Sequence, residues 1–163
     1  MTLIVLWMLI NSTTSSAYIN LPEIRQEYEI AANDETKAKN LLAKVETLAP
    51  NSAVMLAYKG AVTMMLAKFQ FNPVSKFSYF NKGKAILEQA VVKDKNNIEI
   101  IYIRYCIQCN VPSFLDYKNN LTTDKQFLLS NLSSLKDKDL KTRIVKFLKA
   151  SGNLTAAEYK LLP

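Results

Sequence analysis

The sequence contains no histidine, and this absence excludes more chemistry than any other feature of its composition. Its 163 residues also include only three glycines, isolated from one another at positions 60, 83 and 152. Without histidine there can be no Ser-His-Asp triad, no imidazole general base and no histidine-ligated metal. Without clustered glycines there is no glycine-rich loop to hold a phosphate group. We therefore expect no catalytic residue, no metal site and no cofactor.

One spacing known from enzymes does occur, the S-x-x-K of Ser133 to Lys136. Serine acyl enzymes that use this spacing also carry S-D-N and K-T-G motifs, and this chain contains neither. The 14 acidic residues include no pair that the sequence singles out as a general acid and a base. The sequence therefore predicts a protein that is not an enzyme.

The first 17 residues lack charged side chains, and this segment predicts export. An apolar run from Leu3 to Ile10 is followed by small polar residues, with Ser15 and Ala17 at the −3 and −1 positions of a signal-peptidase site. Eight apolar residues are too few to span a bilayer, which takes about 20. We expect cleavage between Ala17 and Tyr18 and a periplasmic or cell-envelope location. The alternative is an apolar N-terminal helix that packs on the fold.

The remaining residues, 18–163, predict one compact all-α domain with about seven or eight helices. Hydrophobic residues are 49% of the chain and recur at helical spacing, without the alternation of strands. Pro22, Asp34 and Asp137 mark helix starts, and Gly152 marks a helix end. The spacing predicts helices over about 22–32, 35–48, 52–69, 75–93, 98–109, 122–133, 137–150 and 155–161, with a helical turn at 113–118. The third and fifth helices are apolar on every side and should be buried.

A spacing pattern occurs twice along the chain. Ala38, Leu42, Val45 and Pro50 are separated by 4, 3 and 5 residues, and the same offsets separate Gly83, Leu87, Ala90 and Lys95. This pattern resembles the second half of a tetratricopeptide repeat, and Leu56 and Gly60 resemble the bulky-then-glycine pair of the helix that follows. Gly60 and Ala61 would let a partner helix approach closely.

The resemblance covers roughly residues 21–110 and departs from the family in two ways. Lys95 replaces a proline, and the two copies are 45 residues apart, whereas the family's period is about 34. The extra residues fall near 69–80. The whole chain also resembles short exported proteins of Bacteroidetes-type bacteria, through N-I-E-I-I-Y-I-R at 97–104, N-V-P-S-F-L at 110–115 and T-D-K at 123–125. That second resemblance implies no activity.

Tetratricopeptide-like helical hairpins imply a concave surface that binds a protein or peptide partner. The predicted function is therefore a non-catalytic, exported binding or scaffold protein. The partner's identity and the oligomeric state do not follow from the sequence.

Two charged residues interrupt the predicted fifth helix, Glu99 and Arg104. Buried charges need partners, and Asp124 is the expected partner of Arg104 across the turn at Pro112. These three residues are predicted to form a structural polar network, with ligand anchoring as the alternative.

Aromatic residues crowd the connector between the third and fourth helices. Phe71, Phe77, Tyr79 and Phe80 either close one end of the core or form the lip of a groove for an extended peptide or lipid. Cys106 and Cys109 form an isolated C-x-x-C inside a helix, where buried free thiols are expected and a local disulfide is the alternative.

The chain carries 21 basic and 14 acidic residues, a net charge of +7. Six basic residues fall on the predicted helix 137–150 and its start, beside an apolar stripe: Lys136, Lys138, Lys141, Arg143, Lys146 and Lys149. A solvated basic face is the simplest interpretation. The alternative function is a basic peripheral protein on an anionic membrane or cell-wall surface. Export argues against a nucleic-acid partner.

The export prediction can be tested directly on the protein recovered from the cell envelope. N-terminal sequencing should begin at Tyr18, because signal peptidase cuts after small residues at −3 and −1. A chain that begins at Met1 would contradict it.

Overall fold

A computed structural model describes residues 19–48 and 51–162 of the protein. The predicted signal segment with its cleavage site, and Pro50 of the repeat pattern, lie outside these residues. The described part is all-helical and contains eight α-helices in one compact arrangement, which confirms the predicted fold class. The helices are α1 Leu21–Ala31, α2 Glu35–Leu48, α3 Ala53–Leu66, α4 Pro73–Lys93, α5 Ile98–Asn110, α6 Leu121–Asn131, α7 Lys138–Ala150 and α8 Ala156–Tyr159. Two 3₁₀ turns, Ala67–Phe69 and Ser113–Leu115, precede α4 and α6.

The helix ends follow from local hydrogen bonding, as the sequence predicts at four places. The carboxylate of Asp34 accepts a hydrogen bond from the backbone N–H of Lys37 at 3.0 Å, and that of Asp137 accepts one from Leu140 at 3.0 Å. Pro22 lies in the first turn of α1. Gly152 follows α7 with φ = 68°, a left-handed conformation that favours glycine.

Two predicted helix starts are wrong. Helix α4 begins at Pro73 because the side chain of Asn72 caps it, accepting a hydrogen bond from the backbone N–H of Val74 at 2.8 Å. The sequence also predicts Thr122 or Thr123 as the cap of the helix at 122–133, but α6 begins at Leu121, after Asn120, and both threonines lie inside its first turn. In both cases the chain enters the helix one or two residues earlier than the apolar pattern suggests.

Helix α3 lies at the centre of the larger of two hydrophobic cores. It packs against α2, α4 and α5, and most of its side chains are buried, as predicted from its all-round apolar sequence. The second core joins α5, α6 and α7 through Tyr105, Leu128, Leu132, Leu140, Ile144 and Leu148. Helix α5 contributes Ile100 and Ile103 to the first core and Ile101 to the second. This double contact explains why α5 is apolar on every side.

Helices α3 and α4 cross where two glycines face each other. A Cβ atom built on Gly60 would lie 2.6 Å from the backbone nitrogen of Leu87 and 2.8 Å from the carbonyl oxygen of Gly83. One built on Gly83 would lie 2.5 Å from the carbonyl oxygen of Gly60. Since real Cβ atoms do not approach backbone atoms so closely, only glycine fits at either position. The close approach expected at Gly60 is therefore present, and its partner is α4.

Helix α4 is the longest, with 21 residues against the 14 of α3. Its second half, from Gly83 onward, packs on α3, while its first two turns extend past the crossing. These turns, residues 73–80, form a helical extension that bears most of the aromatic residues described below.

We expect Gly60→Ala and Gly83→Ala to lower the free energy of unfolding by about 2–3 kcal/mol, because each methyl group would force two backbones apart. At an uncrowded helix position the same change raises stability by up to about 1 kcal/mol. Urea unfolding would measure both.

The matched control is Gly152→Ala, where no atom lies within 4 Å of the added Cβ. Its cost should be only the left-handed backbone strain, about 1 kcal/mol. A stability gain for Gly60→Ala would contradict the close crossing.

Candidate functional site

The described structure contains an open groove of about 960 Å³. Alternate helices form its walls: α1, α3, α5 and α7. The first two turns of α4 and both 3₁₀ turns complete one end. We call this feature the groove.

The groove surface is mainly apolar because of turn-spaced side chains on two of these helices. On α3, Tyr58, Ala61 and Met65 are spaced three and four residues apart. On α5, Ile103 and Ile107 are four residues apart, so each set lies on one face of its helix. Met64 and Met65 lie side by side on the wall. Methionine side chains adapt to ligands of different shape, because they are unbranched and polarizable.

A buried ion-pair network holds the helices beside the groove in place. The guanidinium of Arg25 donates two hydrogen bonds of 2.8 Å to the carboxylate of Glu99, so α1 and α5 are joined by a bidentate pair. Tyr58 of α3 donates to the same carboxylate at 2.8 Å. Arg25 also donates to Asp137 and Asp139 at the start of α7, each at 2.8 Å. Helices α1, α3, α5 and α7 are thus connected through the ion pair of Arg25 and Glu99, and Arg25 is 3% exposed.

The charges of this network reinforce one another. Burial alone would lower the pKa of Arg25, but its hydrogen bonds to Glu99, Asp137 and Asp139 raise it overall, so the side chain stays charged. Burial works against the ionised form of Asp137 as well, yet the N–H of Leu140 and the guanidinium of Arg25 lower its pKa. Burial, with Glu99 close by, raises the pKa of Tyr58, which remains a hydrogen-bond donor.

A second network surrounds Arg104, on the opposite side of α5. Arg104 donates to both carboxylate oxygens of Asp124, at 2.8 and 2.7 Å, and to Glu88 at 2.9 Å. Gln108 donates to Asp124 at 2.6 Å and accepts from the backbone N–H of Asn120 at 3.1 Å. The hydroxyl of Tyr117 donates to Glu88. The predicted pairing of Arg104 with Asp124 is confirmed.

Glu99, however, does not belong with Arg104 and Asp124. It lies on a different face of α5 and pairs with Arg25, which the sequence analysis did not single out. No periodic signal marks Arg25, because it follows a core residue within an ordinary amphipathic helix. Among the described residues, no buried side-chain nitrogen or oxygen lacks a hydrogen-bond partner. Both networks are therefore satisfied within the chain.

The four aromatic residues of the predicted lip have different surroundings. Phe80 is 5% exposed, packs edge-on against Tyr117 with ring centroids 6.0 Å apart, and closes the core. Phe77 is half-exposed, and both it and Phe80 line the groove. Tyr79 packs partly buried against the first core, and Phe71 is fully exposed in front of α4. Phe80 therefore belongs to the core and, with Phe77, to the groove lining, whereas Phe71 and Tyr79 do not line the groove.

Sequence reasoning missed Phe114, which lines the groove from the second 3₁₀ turn and is 82% exposed. It also missed Tyr28 of α1, whose pKa burial raises. The sequence shows only that Phe114 follows Pro112, and this position does not indicate which helices the turn lies beside.

The two cysteines are free thiols in the structure, and the local disulfide stays a prediction. Cys106 lines the groove, whereas Cys109 packs with the second core and accepts a hydrogen bond from the side chain of Asn153 at 3.3 Å. The two side chains are one turn apart on α5 and have different surroundings. Burial raises the pKa of both thiols.

The basic helix predicted at 137–150 is α7, and its apolar stripe of Leu140, Ile144 and Leu148 is buried, as expected. Arg143 turns toward the groove, where it pairs with Glu29 at 2.5 Å and with Asp139 at 3.0 Å. Lys138, Lys146 and Lys149 are exposed. A largely solvated basic face is the arrangement observed.

Comparison with protein-family models, with curated proteins and with solved structures finds no match to this chain. Within residues 19–48 and 51–162 no group of three or more carboxylate or cysteine side chains is placed to hold a metal ion. No helix in the same ranges has the length and apolar character needed to cross a bilayer. The site is thus defined by its geometry: an apolar groove between α1, α3, α5 and α7, closed at one end by the start of α4 and bordered by the Arg25 ion-pair network.

We expect Arg104→Met to lower the free energy of unfolding by about 3–5 kcal/mol, because Asp124 would be left buried without its partner. Adding Asp124→Leu should recover part of this loss, since the uncompensated charge is then removed. Urea unfolding of the two variants would measure the difference, with exposed Lys138→Met as a control that changes little. Unchanged stability of Arg104→Met would rule out the structural role.

Proposed function

We propose that the protein is a non-catalytic, exported binding protein whose groove holds an apolar segment of a partner polypeptide. The observation that carries this proposal is one apolar groove lined by α1, α3, α5 and α7, with the first two turns of α4 at one end. In stacked helical hairpins the first helix of each pair faces the concave side, and that side is the one used for binding.

The size and chemistry of the groove support a chain-like ligand. Small-molecule sites have volumes of about 300–1,000 Å³ and enclose most of their ligand. A groove of about 960 Å³ that is open along one side is at the upper end of that range. Peptide segments in helical grooves are recognised through apolar anchors spaced along the chain, and the partly exposed side chains of Met65 and Ile107 offer an apolar surface for them.

The α3–α4 hairpin supports tetratricopeptide-like packing. Gly60 and Gly83 are the small residues that the repeat pattern places on the first and second helix of one pair, and they are the residues at the crossing. The departure from the family's period lies in the first turns of α4, which extend the hairpin along the groove. The proposed assignment is therefore a degenerate repeat whose extended second helix adds to the binding surface.

The charged residues nearest the groove support binding over catalysis. Arg25 contacts three carboxylates and Arg143 contacts two. These groups already stabilise the fold through one another, so a ligand is held chiefly by apolar contact. The predicted leader at 1–17 supports export to the periplasm or cell envelope, where the partner would be met.

Cys106 is a natural reporter of groove occupancy. In a Cys109→Ser variant, an amphipathic helical peptide with leucines spaced three and four residues apart should slow alkylation of Cys106 by N-ethylmaleimide. We expect at least about a tenfold slowing at saturating peptide, since only the unoccupied fraction reacts, with little dependence on salt. Mass spectrometry would follow the rate.

The matched control is the Cys106→Ser variant, in which the remaining Cys109 lies outside the groove. Its alkylation rate should not respond to the peptide. Equal slowing at both cysteines would indicate a general stabilisation of the fold. Slowing by hexadecanoate and not by the peptide would indicate an acyl-chain ligand. Equal slowing at the two cysteines and slowing by hexadecanoate alone would each contradict the proposal.

A further inference from the structure

Four large apolar side chains are exposed at one end of the groove. Phe71, Val74 and Phe77 lie at the start of α4 and are 103%, 76% and 56% exposed, and Phe114 on the neighbouring 3₁₀ turn is 82% exposed. Phe77 and Phe114 both line the groove. We call these four residues the apolar rim. Exposed apolar residues that are grouped together mark an interaction surface.

The charged residues next to the apolar rim along the chain are basic. Within residues 67–80, which include the first 3₁₀ turn and the first two turns of α4, these are Lys68 and Lys76, and both side chains are exposed. Both also line the groove. The segment 110–120 around Phe114 is neutral, with Asp116 and Lys118. The surface next to the rim is therefore complementary to an anionic partner.

The form of the rim favours a lipid surface over a folded protein. Phe71 directly precedes Asn72, the residue that caps α4, and its ring stands free of the rest of the described structure. A protruding ring of this kind needs a matching pocket on a protein, but needs none in the fluid interface of a bilayer. Aromatic side chains next to lysines are the usual residues at that interface.

We propose that the apolar rim inserts into the surface of an anionic lipid membrane, with Lys68 and Lys76 at the level of the headgroups. Phe71 and Val74 enter the interface from the end of α4, and Phe114 enters beside them. Because Phe77 and Phe114 belong both to the rim and to the groove, the open end of the groove then faces the membrane. This surface is distinct from the basic face of α7, and the proposal does not depend on peptide binding.

The test is sedimentation of the processed full-length protein with vesicles of phosphatidylglycerol mixed with phosphatidylcholine, against phosphatidylcholine alone. Binding should be clear with the anionic vesicles and weak with the neutral ones. Phe71→Ser should weaken the partition coefficient about tenfold, since a whole aromatic ring no longer leaves water. Lys76→Gln should weaken it about fivefold at low salt and have little effect at high salt.

The matched control is Val92→Ser, which removes an 84% exposed apolar side chain from the far end of the same helix. It should bind vesicles as the wild type does. Equal loss with Val92→Ser, or equal binding to neutral and anionic vesicles, would overturn the proposal.

Two further results separate this proposal from its rivals. Phe71 and Val74 are not groove residues, so Phe71→Ser should leave the protection of Cys106 by peptide unchanged. Failure of vesicle binding with intact peptide protection would therefore overturn membrane docking alone. If size-exclusion chromatography shows a dimer that Phe71→Ser converts to a monomer, the rim is an interface between two copies, and the proposal is likewise overturned.

Discussion

The crossing of α3 and α4 at two glycines is the constraint on which the rest of the structure depends. Because no side chain separates the backbones at Gly60 and Gly83, α3 is held deep enough to be covered by α2 and α5 as well. A helix covered on three sides must be apolar all round, and α3 is. The crossing also determines where the first turns of α4 leave the core, and these turns form one end of the groove.

The two ion-pair networks have a different role. They fix the orientation of helices that do not pack at the glycine crossing. Arg25 ties α1 to α5 and to the start of α7, while Arg104 ties α5 to α6 and, through Glu88, to α4. Buried charges of this kind contribute little net stability, but the loss of one partner is costly. The networks therefore make one arrangement of the helices much lower in free energy than other packed arrangements. A groove of defined shape requires such a preference.

The sequence was sufficient for the helices and for several of their end residues, because those depend on nearby residues. Asp34, Asp137 and Gly152 act on backbone groups within a few positions, so their roles can be inferred without a fold. Arg104 and Asp124 could be paired because a single turn separates their helices. Arg25 and Glu99 are 74 residues apart, and no local pattern marks them as partners. The groove could not be predicted from the sequence either, since its walls come from helices that are not adjacent in the chain.

The walls of the groove differ in how firmly they are held, and this difference bears on what the groove can bind. The α1, α5 and α7 sides are joined by Arg25 and its carboxylates, and the neighbouring part of α5 also belongs to both cores. The opposite end is the start of α4, which lies beyond the glycine crossing and is capped by Asn72. In the proposed binding function, a ligand meets one wall joined by ion pairs and another, at the start of α4, held by packing that includes Phe80 against Tyr117. We expect adaptation to ligands of different bulk at Met65 and the first turns of α4, beside the residues that we propose to contact the membrane.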